Sequence, residues 1–378
     1  MKIIYCIAGT FNSGGMERVL ANKANYLVAN GYELAIITSD QQGRAPYFAL
    51  DERIQQYDLG INYTEDVNLG LIKKVAAYFK KQRIHKQRLT RLLKEQKADI
   101  VISMFDHEVS FLHSITDGSK KVLEIHFSRF KRLQYGRKGI LGAIDNYRSK
   151  QDLSLAKKYN CFVVLTEEDK GYWGALDNMR VIPNANTFVP QEVAALDNKQ
   201  AIAVGRYDYQ KGFDDLIKAW KDVHQRCPDW VLNIYGHGPL KVELEHLIQS
   251  LNLEGIVNLC PPTKEIEKAY LDSSLALMTS RYEGLPMALL EAQACGLPMV
   301  AYTCKCGPKD IIQEGVNGYL VPEGNRAVFA DKVVAVLTNT TQRKAMGTNA
   351  RNMAADFSVD RVMAQWISLF NELIKPTK

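Results

Sequence analysis

Two glutamates, Glu283 and Glu291, flank a Gly-Leu-Pro sequence eight residues apart, and their carboxylates are suited to binding hydroxyl groups. A carboxylate can accept both hydroxyl hydrogen bonds of a diol such as a ribose or a hexose offers. The segment follows an apolar run directly, and a proline fits the first position of a helix because it has no N–H to leave unpaired. The alternative is that Glu283 only caps this helix and Glu291 lies on its solvated face.

The start of that helix is itself a candidate site for anions. Free backbone N–H groups and the positive end of the helix dipole favour phosphate or sugar oxygens. The residues expected to bind the donor there are Gly284, Leu285, Pro286 and Met287.

Two basic residues follow another predicted strand. Gly205 and Arg206 come directly after the strand, and Lys211 lies five residues beyond Arg206, before a helical segment. Arg can bind a phosphate through two hydrogen bonds, whereas Lys acts as a point charge. A pair placed in this way can grip a diphosphate and stabilise its departure. The alternative is a pair of solvated basic side chains.

Three further candidate features lie in the first half of the chain. Gly14 and Gly15 follow the first predicted strand, allow close backbone approach and open a helix; a plain turn is the alternative. His126 ends an apolar strand, where a site role competes with a structural one. Asn184 lies in an Ile-Pro-Asn sequence, where a role in the site and a role as a turn former are nearly equally plausible.

These residues are positioned by alternating strands and helices. Lys2–Ala8, Met16–Asn30 and Glu33–Thr38 form a βαβ pattern, which implies a parallel sheet with right-handed crossovers. The Pro/Asn-rich stretch 181–190 indicates a linker, after which the pattern restarts. We therefore predict two doubly wound domains facing across a cleft, with ligands beyond the carboxyl ends of the strands. The other predicted strands are Asp99–Ser103, Lys121–Ile125, Phe162–Leu165, Ala201–Val204, Val231–Tyr235, Val257–Leu259, Leu275–Met278 and Met299–Tyr302.

Composition narrows the class of protein. The 378 residues are 46% hydrophobic and 24% charged, near globular averages, so disorder and fibres are excluded. Seven cysteines without a paired framework favour a reducing cytoplasm. No segment has the roughly 18 apolar residues of a membrane span, so any membrane role is expected to be peripheral. The net charge of +6 comes from the first half of the chain.

The Glu283–Glu291 segment resembles the E-x7-E signature of retaining family-4 glycosyltransferases, which have the GT-B fold. The resemblance covers nearly the whole chain. Gly14-Gly15 is similar to the family's first glycine loop, and Gly205-Arg206 with Lys211-Gly212 to its phosphate-binding segment. Tyr235–Leu240 resembles its second-domain G-x-G-P-L turn, and Gly315–Gly318 its late glycine turn. Several motifs in the family's order make chance agreement improbable.

The resemblance implies two Rossmann-like domains: residues 1–186 for the acceptor, and 187–355 for the nucleotide sugar. The last segment, 356–378, is expected to pack on the first domain. Arg206, Lys211, Glu283 and Glu291 would hold a donor, with UDP-sugar favoured, and no metal is expected. The family's histidine contacts the transferred sugar at a place comparable to His126, although this chain has Phe127 where many relatives carry an acid.

The implied reaction is transfer of a hexose or N-acetylhexosamine to a lipid-linked or saccharide acceptor in surface polysaccharide biosynthesis, such as that of lipopolysaccharide or O-antigen. The resemblance implies that the bond formed keeps the donor's anomeric configuration. A sugar-nucleotide epimerase or phosphorylase on the same fold is one alternative. A non-catalytic membrane- or glycan-binding protein is another, although intact Glu283, Glu291, Arg206 and Lys211 argue against it.

A basic stretch suggests where the protein acts. Residues 73–97 contain ten Lys/Arg, one acid and interleaved apolar residues, and a second basic cluster spans residues 129–138. Anionic lipid attracts such segments, whereas no nucleic-acid-binding signature accompanies them. We expect a peripheral protein on the cytoplasmic face of the membrane and no nucleic-acid partner. A solvated helix face is the alternative.

Overall fold

The computed structural model describes residues 1–66, 70–131 and 139–375. The chain divides into two compact units, Met1–Ile182 with Val362–Lys378 (unit 1) and Pro183–Arg361 (unit 2). The first division falls four residues before the sequence-based boundary at 186. The second lies six residues after the boundary expected at residue 356.

Unit 1 is built on a seven-stranded sheet in which every neighbouring pair is parallel. The strand order is β3-β2-β1-β4-β5-β6-β7, so the order reverses between β1 and β4, as in a doubly wound fold. The strands are β1 (Lys2–Ile7), β2 (Glu33–Thr38), β3 (Gln55–Asp58), β4 (Ile100–Ser103), β5 (Lys120–Glu124), β6 (Cys161–Val164) and β7 (Met179–Val181). The helices are α1 (Gly15–Ala29), α2 (Leu71–Gln96), α3 (Gly139–Ala156) and α4 (Glu167–Trp173).

Unit 2 repeats this plan with a six-stranded parallel sheet of order β10-β9-β8-β11-β12-β13. The order reverses between β8 and β11, so the loops after these two strands lie at the switch point where such folds bind ligands. The strands are β8 (Gln200–Val204), β9 (Val231–Tyr235), β10 (Val257–Cys260), β11 (Leu275–Met278), β12 (Met299–Tyr302) and β13 (Gly318–Val321). The helices are α5 (Phe213–Arg226), α6 (Lys241–Ser250), α7 (Ile266–Leu271), α8 (Met287–Ala294), α9 (Pro308–Ile311), α10 (Arg326–Thr338) and α11 (Thr340–Met353).

The boundary between the units lies within the last helix, α12 (Val359–Ile374). From Val362 onward this helix belongs to unit 1. Its apolar residues follow the helical spacing visible in the sequence, and Trp366 and Phe370 are almost fully buried. Glu372 of α12 pairs with Arg180 of β7 at 2.8 Å. The C-terminal segment is therefore part of the first unit's structure.

Three strands are missing from the sequence-based prediction, and each lacks the signal of an apolar run. The β3 strand is largely exposed, and β7 has only three residues. The β13 strand begins at Gly318, which the sequence suggested to be part of a glycine turn.

The prediction that Pro286 is the first residue of a helix was wrong by one position. Its ψ of 107° is extended, so Pro286 precedes the helix and Met287 begins it.

Candidate functional site

The loop after β8 holds the two basic residues in different environments. The Arg206 side chain is 64% exposed, and its Nε lies 2.6 Å from Asp208 Oδ2. Asp208 also accepts a hydrogen bond from the backbone N–H of Lys211, which closes the loop into a single turn before α5. Lys211 is mostly covered, because its aliphatic chain lies against Gly205, where an added Cβ would be 3.0 Å from two of its carbons. Gly205 thus provides space for Lys211.

Lys211 is joined directly to the first glutamate of the E-x7-E segment. Its Nζ lies 2.7 Å from Glu283 Oε1, and the Glu283 side chain is only 7% exposed. Gln210 donates to the backbone oxygen of Tyr282 at 2.9 Å, which ties the same two loops a second time. Lys211 and Glu283, 72 positions apart in the sequence, therefore form an ion pair at the switch point of unit 2.

The two loops approach so closely that one position excludes any side chain. Gly212 has a φ of +63°, and a Cβ there would lie 2.2 Å from the backbone oxygen of Thr279. The Thr279 hydroxyl donates to the Gly212 carbonyl at 2.9 Å. This contact fixes the start of α5 beside the end of β11, and with it the distance between Lys211 and Glu283.

The Gly-Leu-Pro segment directly precedes α8, which begins at Met287. Leu285 and Pro286 are buried, while Gly284 and Met287 are half-buried. Pro286 offers no side-chain cap for the helix start. The backbone of Glu283 meets Lys305 of the loop after β12, with an N–H to oxygen distance of 3.4 Å. The segment is thus held from two sides, by the β8 loop and by the β12 loop.

The second glutamate, Glu291, lies inside the structure and not on a solvated helix face. It is 9% exposed, and both carboxylate oxygens accept hydroxyl hydrogen bonds. Thr187 Oγ1 donates to Oε1 at 2.8 Å, and Tyr270 OH donates to Oε2 at 3.1 Å. The sequence reasoning missed Thr187 and Tyr270, because neither lies in a motif and both are distant from residue 291. Two hydroxyl partners are also what the diol of a sugar would supply.

In unit 1, the two glycines begin α1. Gly14 is the residue before the helix and has an extended backbone, and Gly15 is the first helical residue. A Cβ on Gly14 would lie 2.3 Å from Glu17 Oε2, so the absence of a side chain lets Glu17 fold back over the helix start. Burial raises the pKa of Glu17, while its hydrogen bonds lower it in part.

His126 follows β5 and lies beside a buried ion pair. Its Nε2 is 3.0 Å from Glu124 Oε1, and Lys23 Nζ lies 2.7 and 2.6 Å from the two oxygens of the same carboxylate. Burial opposes ionisation of Glu124, but the charges of Lys23 and His126 lower its pKa to about 2. The Glu124 carboxylate is therefore ionised at neutral pH. The adjacent Phe127 packs edge-on against Phe105, with ring centroids 5.2 Å apart.

The remaining predicted residues are Asn184 and those of the two basic stretches. Asn184 is buried at the start of unit 2. On α2, the exposed basic residues alternate with exposed Val75, Tyr78 and Phe79. Lys81 is an exception, because it pairs with Asp66 at 2.6 Å. No helix of the described residues is long and apolar enough to cross a membrane.

The second basic cluster is not a simple exposed surface. Arg129 is half-buried, with its guanidinium 4.5 Å from the ring centre of Trp173. Lys131 lies over the ring of Phe127 at 4.2 Å. Arg132, Arg137 and Lys138 lie outside the described residues. No group of three or more potential metal-ligating side chains occurs in the part of the chain that the structure describes.

Two parallel doubly wound units, the second with cationic and carboxylate side chains at its switch point, have the architecture of the GT-B fold of glycosyltransferases. The comparisons with known families agree. The model of "Glycosyltransferase Family 4" matches residues 13–185, and that of "Glycosyl transferases group 1" matches residues 184–353. The chain belongs to these glycosyltransferases and is a hexosyltransferase.

Relatives of similar length include glycosyltransferases of polysaccharide and glycan biosynthesis. The chain is 28% identical to the amylovoran biosynthesis glycosyltransferase AmsD of Erwinia amylovora, over 98% of this chain and 99% of AmsD. It is 26% identical to an α-1,4-N-acetyl-D-galactosaminyltransferase of Campylobacter jejuni whose name specifies an undecaprenol-linked acceptor, over 99% of both chains. The TarM structure from S. aureus, in complex with UDP among other ligands, is similar in fold, with a TM-score of 0.80 at 19% identity, over 98% of this chain and 99% of TarM.

Proposed function

We propose that this protein transfers a hexose or an N-acetylhexosamine from a UDP-sugar to a lipid-linked or saccharide acceptor in bacterial surface polysaccharide biosynthesis. The observation that carries the proposal is the Lys211–Glu283 ion pair at the switch point of unit 2, in a loop that also holds exposed Arg206. A nucleotide sugar has a diphosphate for the two cations and sugar hydroxyls for the carboxylate. The anion-favouring start of α8 follows four residues after Glu283.

The same residues explain how transfer would proceed. When the bond between the sugar and the diphosphate breaks, negative charge develops on the leaving phosphate, and Arg206 and Lys211 stabilise it. Glu283 orients Lys211 and is suited to accept hydrogen bonds from the sugar. We propose that the acceptor attacks the face from which the diphosphate departs, that the leaving phosphate takes the acceptor's proton, and that no metal is needed. The bond formed then keeps the donor's configuration.

The proposed acceptor is inferred from two relatives and from the charge of the first 190 residues. AmsD and the Campylobacter enzyme are full-length relatives, and the name of the latter specifies a lipid diphosphate acceptor. Residues 1–190 of this chain hold 28 Lys/Arg against 20 Asp/Glu, and this positive charge favours anionic partners. These observations support an anionic, lipid-linked acceptor, and we propose that the protein uses it at the cytoplasmic face of a membrane.

Thermal unfolding tests the donor. A ligand that binds the folded state raises the unfolding temperature. We expect UDP-sugars to do so more than GDP- or ADP-sugars, and the Lys211→Ala variant to lose most of the shift. The assignment of UDP would be wrong if another nucleotide protected the protein better.

Product analysis tests the reaction. The protein is first dialysed against EDTA. It is then incubated with the donor that stabilises it and with a diphospholipid-linked saccharide acceptor, and the product is examined by proton NMR. We expect undiminished transfer and an α-linkage from an α-linked donor. A β-linked product would contradict retention, and activity restored only by added metal would contradict metal independence. A parallel reaction without acceptor detects an epimerase.

A further inference from the structure

Within unit 2, the pairing of β8 with β11 ends well before the two loops that carry Lys211 and Glu283. The last residue pair of this ladder joins Ile202 to Ala276. Lys211 lies nine residues beyond Ile202, and Glu283 lies seven residues beyond Ala276. Strand pairing therefore does not set the distance between the two charges, and contacts between the loops must do so.

Arg281, two residues before Glu283, contacts the other loop on both sides of Lys211. Its Nη1 donates to the backbone oxygen of Tyr209, which precedes Lys211, at 2.6 Å. Its Nη2 lies 2.9 and 3.0 Å from the two carboxylate oxygens of Asp214, in the first turn of α5. The Arg281 side chain is only 17% exposed. One guanidinium group therefore bridges the segments before and after Lys211.

Further contacts of Arg281 reinforce this bridge. The guanidinium carbon lies 4.3 Å from the centre of the Tyr209 ring, and the backbone N–H of Arg281 donates to the Gln210 oxygen at 2.8 Å. Asp215 Oδ2 lies 3.6 Å from Nη2. A planar guanidinium can stack on a ring and hold two acceptors in fixed directions, whereas a lysine ammonium is a point charge. The site therefore uses properties that are specific to arginine.

We propose that Arg281 is a positioning residue for transfer, which holds the Lys211 loop against the Glu283 loop so that the Lys211 ammonium stays where charge develops on the leaving diphosphate. This inference rests on the proposed function for the diphosphate, but the bridge itself is independent of it. A charged group accelerates a reaction when it is fixed in advance at the place where charge appears. A displacement of about 1 Å can lower the rate about 10²-fold.

The opposite end of α5 provides a matched control. Arg226, the last residue of α5, pairs with Asp331 of α10 at 2.6 Å, and both side chains are exposed. Ion pairs that solvent reaches contribute little to global stability. Arg226→Met and Arg281→Met each remove one arginine that joins α5 to a neighbouring segment, but only Arg281 contacts the Lys211 loop.

Transfer kinetics give the first measurement. We expect Arg281→Met to lower kcat about 10²-fold and Arg226→Met to leave it unchanged. Arg281→Lys should recover little, because an ammonium cannot hold the Tyr209 oxygen and the Asp214 carboxylate together. In a Lys211→Ala background, Arg281→Met should have no additional effect, since it acts through Lys211. Full recovery by Arg281→Lys, an unchanged kcat, or losses that multiply in the combined variant would overturn the proposal.

Amide hydrogen exchange, followed by mass spectrometry, gives a second measurement that needs no activity. We expect residues 206–212 to exchange faster in Arg281→Met than in the parent, because the loop opens locally when its contacts are lost. Peptides from α6 and α11 should exchange as in the parent, and Arg226→Met should leave residues 206–212 unchanged. Parental exchange of this loop in Arg281→Met would refute the bridge. If no donor supports transfer, the proposed function fails, but this measurement still decides whether Arg281 holds the loop.

Discussion

At the scale of single residues, Lys211 combines a structural and a chemical role. Its ammonium group pairs with Glu283, which is 7% exposed, and exposed Arg206 belongs to the same loop after β8. In the proposed reaction the same charge stabilises the leaving diphosphate. Removing Lys211 therefore leaves a nearly buried carboxylate without its ion-pair partner and removes a positive charge from the transition state.

We expect Lys211→Ala to lower kcat by about 10²- to 10³-fold, the usual cost of one charge stabiliser. Steady-state transfer assays measure this. Lys218→Ala is the control, because Lys218 lies on α5, seven residues away, with an exposed side chain. Unfolding temperatures of both variants separate loss of folding from loss of chemistry. Near-parental turnover of a folded Lys211→Ala protein would remove Lys211 from the proposed mechanism.

The pKa of Glu108 predicts how the free energy of unfolding depends on pH. It is buried just after β4 and accepts a hydrogen bond from Ser103 at 2.5 Å. Burial, together with the negative charge of Asp106, raises its pKa to about 8 from an ordinary value of 4.5. Below pH 4.5 the carboxyl is neutral in both the folded and the unfolded chain. Between pH 4.5 and 8 only the unfolded chain ionises it, so the free energy of unfolding falls as the pH rises.

Urea unfolding at pH 5 and pH 8 tests this expectation. Relative to Glu108→Gln, the parent should lose a few kcal/mol between these values, since one pKa unit corresponds to about 1.4 kcal/mol. Glu95→Gln, at an exposed position of α2, should follow the parent. Parallel pH dependence of the parent and Glu108→Gln would show that Glu108 has no raised pKa.

At the scale of elements, the start of α8 depends on close backbone packing. Gly307, in the loop between β12 and α9, has a φ of +95°. A Cβ there would lie 2.4 Å from Pro286 Cδ and 3.0 Å from the oxygen of Gly284. Any larger residue must therefore displace the segment that presents Glu283 and begins α8.

We expect Gly307→Ala to weaken protection by the nucleotide sugar in thermal unfolding and to lower the free energy of unfolding by more than Gly315→Ala. Gly315 also has a positive φ, but a Cβ there meets nothing within 4 Å. The control variant therefore reports backbone strain alone, about 1–2 kcal/mol for a left-handed residue. Equal effects of the two substitutions on donor protection would contradict a role for the Gly307 contact.

The elements also show how far the sequence predicts the structure. Apolar runs identified Glu33–Thr38, Val231–Tyr235, Leu275–Met278 and Met299–Tyr302 with their correct bounds. The last two are buried throughout, as expected of strands covered on both faces. Gln55–Asp58 was missed because its side chains are largely exposed and polar. Motif residues could be named individually from the sequence.

The contacts between side chains could not be predicted, because they depend on the tertiary fold. Lys211 meets Glu283 across 72 residues, and Lys23 meets Glu124 across 101. Neither separation leaves a local pattern in the sequence. For Glu291, Thr187 comes from the segment that begins unit 2, and Tyr270 comes from a six-residue helix.

At the scale of the whole molecule, charge is concentrated on one long helix of unit 1. Among the described side chains of α2, Lys73, Lys80 and Arg83 are exposed. Phe79 is 68% exposed, although large apolar side chains are usually buried. Lys81, by contrast, is engaged by Asp66 and by the carbonyl of Asn62. Exposed basic and aromatic groups on one helix suit the interface of an anionic membrane.

We therefore expect the purified protein to pellet with anionic vesicles at low salt and to be released as salt increases. Each basic residue near such a surface contributes about 1 kcal/mol. Replacing Lys73, Lys80 and Arg83 by Gln should weaken binding by about 3 kcal/mol at most. The effect should shrink with salt, because the screening length falls from about 10 Å at 0.1 M to 3 Å at 1 M.

The control removes equal charge from unit 2, by replacing exposed Lys221, Lys264 and Lys268 with Gln. Because both triple variants have the same net charge, a general electrostatic attraction would weaken their pelleting equally, whereas docking through α2 weakens only the first. Phe79→Ser should reduce the binding that persists at high salt, where apolar contact is the remaining attraction. Activity on a short soluble acceptor should be unchanged in all of these variants, since none of the replaced residues lies in the proposed donor site. If the α2 variant and the parent pellet equally, α2 is a solvated face and the enzyme reaches its acceptor by another surface.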